Sequence, residues 1–374
     1  MLNILLIRFS ALGDVAMLAP IAREYALQQP DDTITVLSKP FHAPLFENLA
    51  PNIRFIGADI KKDYKGIKGL YRLFKELHQM HFDVICDMHD VLRTKFLRKL
   101  FRIHGYEVHK INKHRRMRKM ITAPYPKKKL IQLPTSFDNY RQVLNELRIK
   151  NEELRFEGGE LRNKNEELRF KGEELINKNE ELRFKDAELR NKNEENSKLT
   201  IGIAPFAAHQ GKIYPVEKME RVIQLITERR PDSSIYLFGG GGKEMEIMQQ
   251  WEEKYPNVIT AARYIKENVS EAQRASSQLA NELRLMSQLN VMLSMDSANM
   301  HLASLVNTRV VSIWGATHPC AGFMGWQQSA DDCIQRSDLN CRPCSIYGNK
   351  PCLRGDMECM EIKPEEIVER VVKY

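Results

Sequence analysis

Nine short apolar runs constrain this chain more than any other feature. The first four are Ile4–Ile7, Thr33–Leu37, Ile53–Ile56 and Asp83–Cys86. The other five are Thr200–Ala204, Ser234–Phe238, Val258–Thr260, Val291–Ser294 and Val310–Ile313. Each is strand-length, and helical patterns stand between them, as in residues 69–80, 216–229, 243–254 and 279–288. Short apolar strands alternating with amphipathic helices predict parallel sheets covered by helices. The runs fall into two groups, so the expected class is α/β with two Rossmann-like domains facing across a cleft.

The groups are separated by a segment of different character. IKNEELRFEGGELR, NKNEELRFKGEELI, NKNEELRFKDAELR and NKNEEN repeat with a period of fourteen over residues 149–196. Leucine recurs every seven residues from Leu147 to Leu189. Glu, Lys, Arg and Leu favour helix, but one seam position is often Asn or Gly, which argues against a strong coiled coil. The segment reads as a charged, partly helical insert without chemistry of its own. The expected division is residues 1–148, the insert 149–196, and residues 197–374.

With 43% apolar residues the chain can build ordinary cores. Its net charge of +8 is unevenly spread: residues 93–129 hold fourteen Lys or Arg and one acid, Glu107. Such a field attracts anionic partners or is a solvated basic face. No recognised nucleic-acid module accompanies it, so nucleic acid is not an expected partner. No run approaches the roughly 20 apolar residues needed to span a bilayer, and no secretory signal is visible. The expected location is the cytoplasm, with a peripheral place on the inner membrane face.

Several strand ends carry groups suited to a ligand, and open α/β sheets bind ligands there. FSALGDVAMLAP follows the first strand and places one glycine, Gly13, beside a carboxylate, Asp14. PFAAHQGKIYP carries Ala207, Ala208, His209, Gly211 and Lys212. Lys212 can neutralise a diphosphate as a mobile point charge. FGGGGKE holds four glycines, Gly239 to Gly242, which admit a ligand close to the backbone. In MDSANMHLASLV, Asp296 is expected to cap a helix starting near Ser297. The free amides at Ser297 and Ala298 suit an anion, and His301 lies about one turn further on. Together these are the footprint of a nucleoside diphosphate without a Walker sequence.

These blocks, in this order and followed by NTRVVSIWGATHP, resemble glycosyltransferase family 9, the ADP-heptose:lipopolysaccharide heptosyltransferases. The resemblance implies a GT-B architecture, with the acceptor on the N-terminal domain and the nucleotide-sugar on the C-terminal one. It implies an inverting transfer that needs no catalytic metal, onto a lipopolysaccharide core or similar anionic glycolipid. By resemblance Asp14 is the catalytic carboxylate, which takes the acceptor's proton; the bland alternative is that Asp14 only caps its helix. Lys212, Asp296, Ser297, Ala298, His301, Gly240, Gly241, Ala207 and Ala208 are expected on the donor. Ser10, Gly13, Arg93 and Lys95 are expected on the acceptor side. Ala207 and Ala208 stand where some members have phosphate-binding hydroxyls. Gly242 stands near where some have an acid for the nucleoside.

Cys341, Cys344, Cys352 and Cys359 lie close together in CRPCSIYGNKPCLRGDMEC. The first pair has zinc-like spacing, so a structural zinc, reduced thiols and disulfides all stay open. Two other functions compete with transfer: a nucleotide-sugar epimerase on the same architecture, and a nucleotide-binding scaffold that associates through the repeats.

Overall fold

The computed structural model describes residues 1–155, 198–271 and 275–373. Most of the fourteen-residue repeats, and with them the expectation of a helical insert, lie outside the described residues. The chain divides into two compact units, Met1–Val143 with Thr200–Tyr374, and Leu144–Leu199. Both sheets belong to the first.

The N-terminal sheet is built from β1 (Asn3–Ile7), β2 (Thr33–Ser38), β3 (Ile53–Gly57), β4 (Val84–Asp87) and β5 (Glu107–Lys110). Its order is β3-β2-β1-β4-β5. The strands are parallel, with Ile4 opposite Ile34 on one side and Val84 on the other. Helices α1 (Leu12–Gln28), α2 (Gly66–His78) and α3 (Leu92–Ile103) connect them, and α4 (Arg115–Ile121) and α5 (Ser136–Arg155) follow. Ile4, Leu5, Leu6 and Ile7 are wholly buried. That is why β1 reads as an unbroken apolar run: a parallel strand covered on both faces needs no polar alternation. Leu5, Ile7 and Phe9 form one core cluster with Leu73, Phe74 and Leu77 of α2 and Leu97 and Phe101 of α3.

The C-terminal sheet contains β6 (Thr200–Ala204), β7 (Ser234–Leu237), β8 (Val258–Thr260), β9 (Val291–Met295), β10 (Arg309–Trp314) and β11 (Cys333–Gln335). Its helices are α6 (Val216–Arg229), α7 (Lys243–Lys254), α8 (Ala261–Asn268), α9 (Gln278–Met286), α10 (Ala298–Leu305) and α11 (Pro364–Val371). Its order, β11-β10-β9-β6-β7-β8, read from the other edge, repeats the N-terminal order with one strand added. All nine strands expected from the sequence are present within one or two residues. Two were missed: β5, which lies in the basic block, and the three-residue β11.

Each sheet reverses its winding at its centre, between β1 and β4 and between β6 and β9. At such a switch point the connections leave in opposite directions and open a crevice at the strands' carboxyl ends. The helices that follow β1 and β9, α1 and α10, pack against each other and join the two halves.

Candidate active site

The four central strands each send their following residues into one cavity of about 510 Å³. β1 supplies Arg8, Ser10, Gly13 and Asp14, and β4 supplies His89. β6 supplies Phe206, Ala207, Ala208, His209 and Lys212, and β9 supplies Asp296, Ser297, Ala298, Asn299 and His301.

Asp14 lies in the first turn of α1, where its Oδ2 accepts the Ala11 N–H at 3.1 Å. The capping role and a place in the cavity therefore coexist. Arg8 is nearly wholly buried and its Nη2 lies 2.8 Å from the same Oδ2. Its Nη1 donates to the Met88 carbonyl, and the guanidinium sits 5.6 Å from the centre of the Tyr140 ring. Tyr140 donates its hydroxyl to the Asp14 carbonyl at 3.1 Å. Burial alone would push the Asp14 carboxyl up, but Arg8, the Ala11 N–H and His301 together hold it below its ordinary value. Asp14 is thus a positioned, ionised carboxylate.

Across the cavity, Lys212 Nζ lies 2.8 Å from Asp296 Oδ2. This corrects the expectation that Asp296 caps the following helix. The Asp296 N–H is still tied to the sheet through the Ile313 carbonyl, and its side chain meets Lys212 instead. The N-cap of α10 is Ser297, and no side chain caps the helix. His301, in the first turn of α10, is buried with its Nδ1 unpartnered. Burial pushes it down to about 4, against the opposing pull of Asp296 and Asp14, so it is neutral near pH 7.

The glycine turn after β7 contributes Gly239 and Gly240, while Gly241 lies outside the cavity lining. Gly242 adopts a positive φ of 67° at the start of α7. Two residues on, Glu244 accepts the Gly240 N–H at 2.8 Å and lines the cavity. The sequence reading looked for an acid at Gly242 and missed Glu244. A carboxylate in the first helical turn after a glycine run was the available signal.

Arg93 and Lys95 also lie outside the cavity lining. Arg93 is exposed near the start of α3, and Lys95 reaches Asp90 at 4.0 Å. Asp90 gathers Arg115 at 2.7 Å and Arg98 at 3.3 Å as well. Asp87, wholly buried, binds Arg98 at 2.8 Å and accepts the N–H groups of His89 and Asp90. Much of the apparent basic field is therefore spent on structure. The cation of that block that reaches the cavity is Lys113.

Phe323, Ile346 and Tyr347 complete the lining from the C-terminal half. Tyr347 accepts from Arg118 Nη1 at 2.9 Å, and that guanidinium lies 5.2 Å from the centre of the Phe323 ring. On either side of Ile346 and Tyr347 in the chain, Cys341, Cys344, Cys352 and Cys359 surround one small cavity, all unpaired. The Cys344 thiol donates to the Cys341 carbonyl at 3.4 Å, and backbone N–H groups of residues 354–357 approach the Cys352 sulfur. Among the described residues no three His, Cys, Asp or Glu side chains are arranged to hold a metal ion.

Two parallel sheets of matching order, with their switch points turned to a common cavity, form the GT-B architecture. The model of glycosyltransferase family 9 (heptosyltransferase) matches residues 70–351, and the chain belongs to that family. A family 9 glycosyl transferase from Veillonella parvula DSM 2008 is similar in fold, with a TM-score of 0.65 at 17% identity over 100% of this chain and 98% of that one. ADP-heptose lps heptosyltransferase II of E. coli gives 0.58 at 14% identity, covering 98% and 97%. E. coli heptosyltransferase WaaC, solved with ADP-2-deoxy-2-fluoro heptose, gives 0.59 at 13% identity, covering 99% of each chain. No curated protein matches the chain. No helix among the described residues is long and apolar enough to cross a membrane.

Proposed function

We propose that this glycosyltransferase moves a heptose or related sugar, with inversion and without a catalytic metal, from an ADP-linked donor to an anionic cell-envelope glycan of the lipopolysaccharide-core type. The observation that carries this reading is that Asp14 and the Lys212–Asp296–His301 group line one cavity from opposite halves. Residues 1–148 would take the acceptor and residues 197–374 the donor, with 149–196 an insert between them. The relatives' donors, ADP-heptose among them, support the choice of nucleotide-sugar.

Asp14 receives the acceptor hydroxyl's proton as that oxygen attacks the anomeric carbon. Its lowered pKa keeps it ionised near neutral pH. Proton acceptance matters most in the transition state, where the hydroxyl has become acidic. Lys212 meets the charge growing on the departing diphosphate, helped by the uncapped amides at the start of α10. His301, neutral, can donate one N–H to a phosphate oxygen. Glu244 is placed to accept from the hydroxyls of a ribose near Gly240. A peripheral place on the inner membrane face would bring a lipid-linked acceptor to this cavity. A structural zinc at the four thiols is a separate proposal that requires them to converge. One equivalent of zinc surviving dialysis supports it, and none removes it.

Asp14→Asn tests the transfer. The expected result is a kcat lower by about 100- to 10,000-fold with ADP affinity retained. A variant that still transfers at the wild-type rate would overturn the assignment. Release of free sugar and nucleotide without any acceptor would favour the epimerase reading.

A further inference from the structure

The contacts around Asp14 divide its two carboxylate oxygens. Oδ2 takes both close donors, the Ala11 N–H at 3.1 Å and Arg8 Nη2 at 2.8 Å. Oδ1 meets no donor among the described residues. The side chain is 24% exposed and lines the cavity. An unrestrained carboxylate offers two equivalent oxygens and turns freely between them. Here one oxygen is tied down on both sides and the other is left for a ligand.

Arg8 can hold Oδ2 because it is itself held. It directly follows β1, and its Nη1 donates to the Met88 carbonyl just beyond the end of β4. Its guanidinium lies 5.6 Å from the centre of the Tyr140 ring. Tyr140 is wholly buried on α5 and donates its hydroxyl to the Asp14 carbonyl at 3.1 Å. The next residue, Arg141, binds Glu24 of α1 at 3.0 and 3.1 Å. One turn of α5 therefore braces both the guanidinium and the helix that carries Asp14. Among the described residues Asp14 is the carboxylate that Arg8 meets. Burying such a pair desolvates two ions, which an apolar pair of the same size would not require. Stability alone therefore does not account for it.

We propose that Arg8 is a positioning residue for the transfer: with the Ala11 N–H it commits Asp14 Oδ2, and so reserves Oδ1 as the atom that receives the acceptor hydroxyl's proton. This rests on the reading of Asp14 as the acceptor-side base. The proton passes from the acceptor oxygen to an Oδ1 lone pair as that oxygen bonds to the anomeric carbon. The anomeric bond to the diphosphate breaks, and its electron pair leaves on the diphosphate. Arg8 stays on Oδ2 throughout, so the new proton sits on the oxygen facing the cavity, from which water removes it. Arg8 acts through Asp14 and not on either substrate. The same guanidinium lowers the carboxylate's affinity for a proton. The arrangement exchanges some base strength for a carboxylate that is ionised and aimed.

The test uses the full-length enzyme and its Arg8→Met, Arg8→Lys and Tyr140→Phe variants, with ADP-heptose as donor and a deacylated lipopolysaccharide core as acceptor. Each is read as kcat, both KM values, the pH profile of kcat, and the Kd for ADP by calorimetry. Arg8→Met should lower kcat about 10- to 100-fold, the cost of a misaimed base, with donor KM and ADP Kd unchanged. Burial then raises the Asp14 carboxyl unopposed by Arg8, so the acid limb of kcat should move up by about one to three pH units. Arg8→Lys keeps the charge without the guanidinium's fork. Its acid limb should stay near that of the wild type while kcat recovers only in part. Tyr140→Phe should lower kcat by less and leave the limb in place. Wild-type kcat and acid limb in both Arg8 variants overturn the proposal. So does a loss confined to donor KM or ADP Kd, which would assign Arg8 to the donor side. If Arg8→Met does not bind ADP, Arg8→Lys decides alone, and a wild-type kcat in it overturns the proposal. Asp14→Asn separates the two readings. Full activity in that variant refutes the base itself, whereas an inactive Asp14→Asn beside unaffected Arg8 variants refutes only the role of Arg8.

Discussion

Gly13 and His301 meet at the joint between the two halves: a Cβ built on Gly13 would lie 2.6 Å from His301 Cδ2 and 3.5 Å from the Ala298 Cα. The glycine beside Asp14 is therefore less a phosphate-cradling turn than a gap that lets α10 approach α1. The catalytic carboxylate proposed for one half and the diphosphate group proposed for the other are kept together by the absence of a methyl group. Gly13→Ala should cost about 1–3 kcal/mol by overpacking and lower transfer by separating Asp14 from the donor. His301→Ala should relieve much of the stability loss. Thermal unfolding of the two single variants and the double one checks this, and additive losses would show that the contact does not matter.

Lys212 and Asp296 form the second decisive pair. Asp296 is 3% exposed, so removing its partner leaves a buried carboxylate uncompensated. Lys212→Ala should lose about 3–5 kcal/mol of stability, and adding Asp296→Ala should restore part of it. ADP affinity should stay low in both, by about 10- to 100-fold, because the cation proposed to face the diphosphate is gone. Calorimetric titration with ADP separates the two effects. Recovery of affinity in the double variant would mean that Lys212 serves only the fold.

Three buried histidines, His42, His89 and His301, and the half-buried His318 set the acid behaviour. Burial first, with nearby cations, pushes His42 down to about 4, His89 to about 3 and His318 to about 4. Burial also takes His301 to about 4 despite its two acidic neighbours. The unfolded imidazoles protonate near the ordinary value of 6.5, and the folded ones do not until two or more units lower. Between about pH 6.5 and 4 the unfolded state thus binds more protons, and stability falls as pH falls, by at most about 1.4 kcal/mol per unit for each histidine. Urea midpoints measured from neutral pH down to about pH 5 should drop accordingly. His318→Asn, which keeps an acceptor for the Cys320 N–H, should flatten the fall by one histidine's share. A flat wild-type profile would refute the assignment.

The sheet strands were legible because parallel strands buried on both faces are largely apolar runs, as Ile4–Ile7 and Val291–Leu293 are. β5, with Glu107, His109 and Lys110, carries no such run and was hidden in the basic block. Lys212, Asp296 and His301 stood out because each follows a strand and carries a group suited to a diphosphate, and Asp14 because it resembles the family's carboxylate; all four line one cavity. Lys113 could not, since charge counting treats the fourteen basic residues of 93–129 alike, and nothing local in the sequence marks Arg8 or His89 as cavity residues. Only their partners show which are spent on Asp87 and Asp90 and which reaches the cavity. The supposed cap role of Asp296 failed for the same kind of reason: a lysine distant in sequence outcompeted the local backbone.

The wall formed by Ile346 and Tyr347 depends on a contact between the halves. Lys128 Nζ donates to the Cys341 carbonyl at 2.8 Å and to the Pro343 carbonyl at 2.7 Å, at the root of that wall. Beyond it, a Cβ on Gly348 would stand 2.6 Å from Lys212 Cγ, so the loop also packs against Lys212. Lys128→Met keeps most of the aliphatic stem and deletes both bonds. It should lower stability by about 1–3 kcal/mol and raise the donor KM several-fold through a looser Lys212, with kcat little changed. The acceptor KM should rise less, because Asp14, the proposed acceptor-side base, stands on the other half. Steady-state kinetics with each substrate varied in turn reads the split. A fall in kcat at unchanged donor KM would show that the wall acts on the chemical step rather than on Lys212.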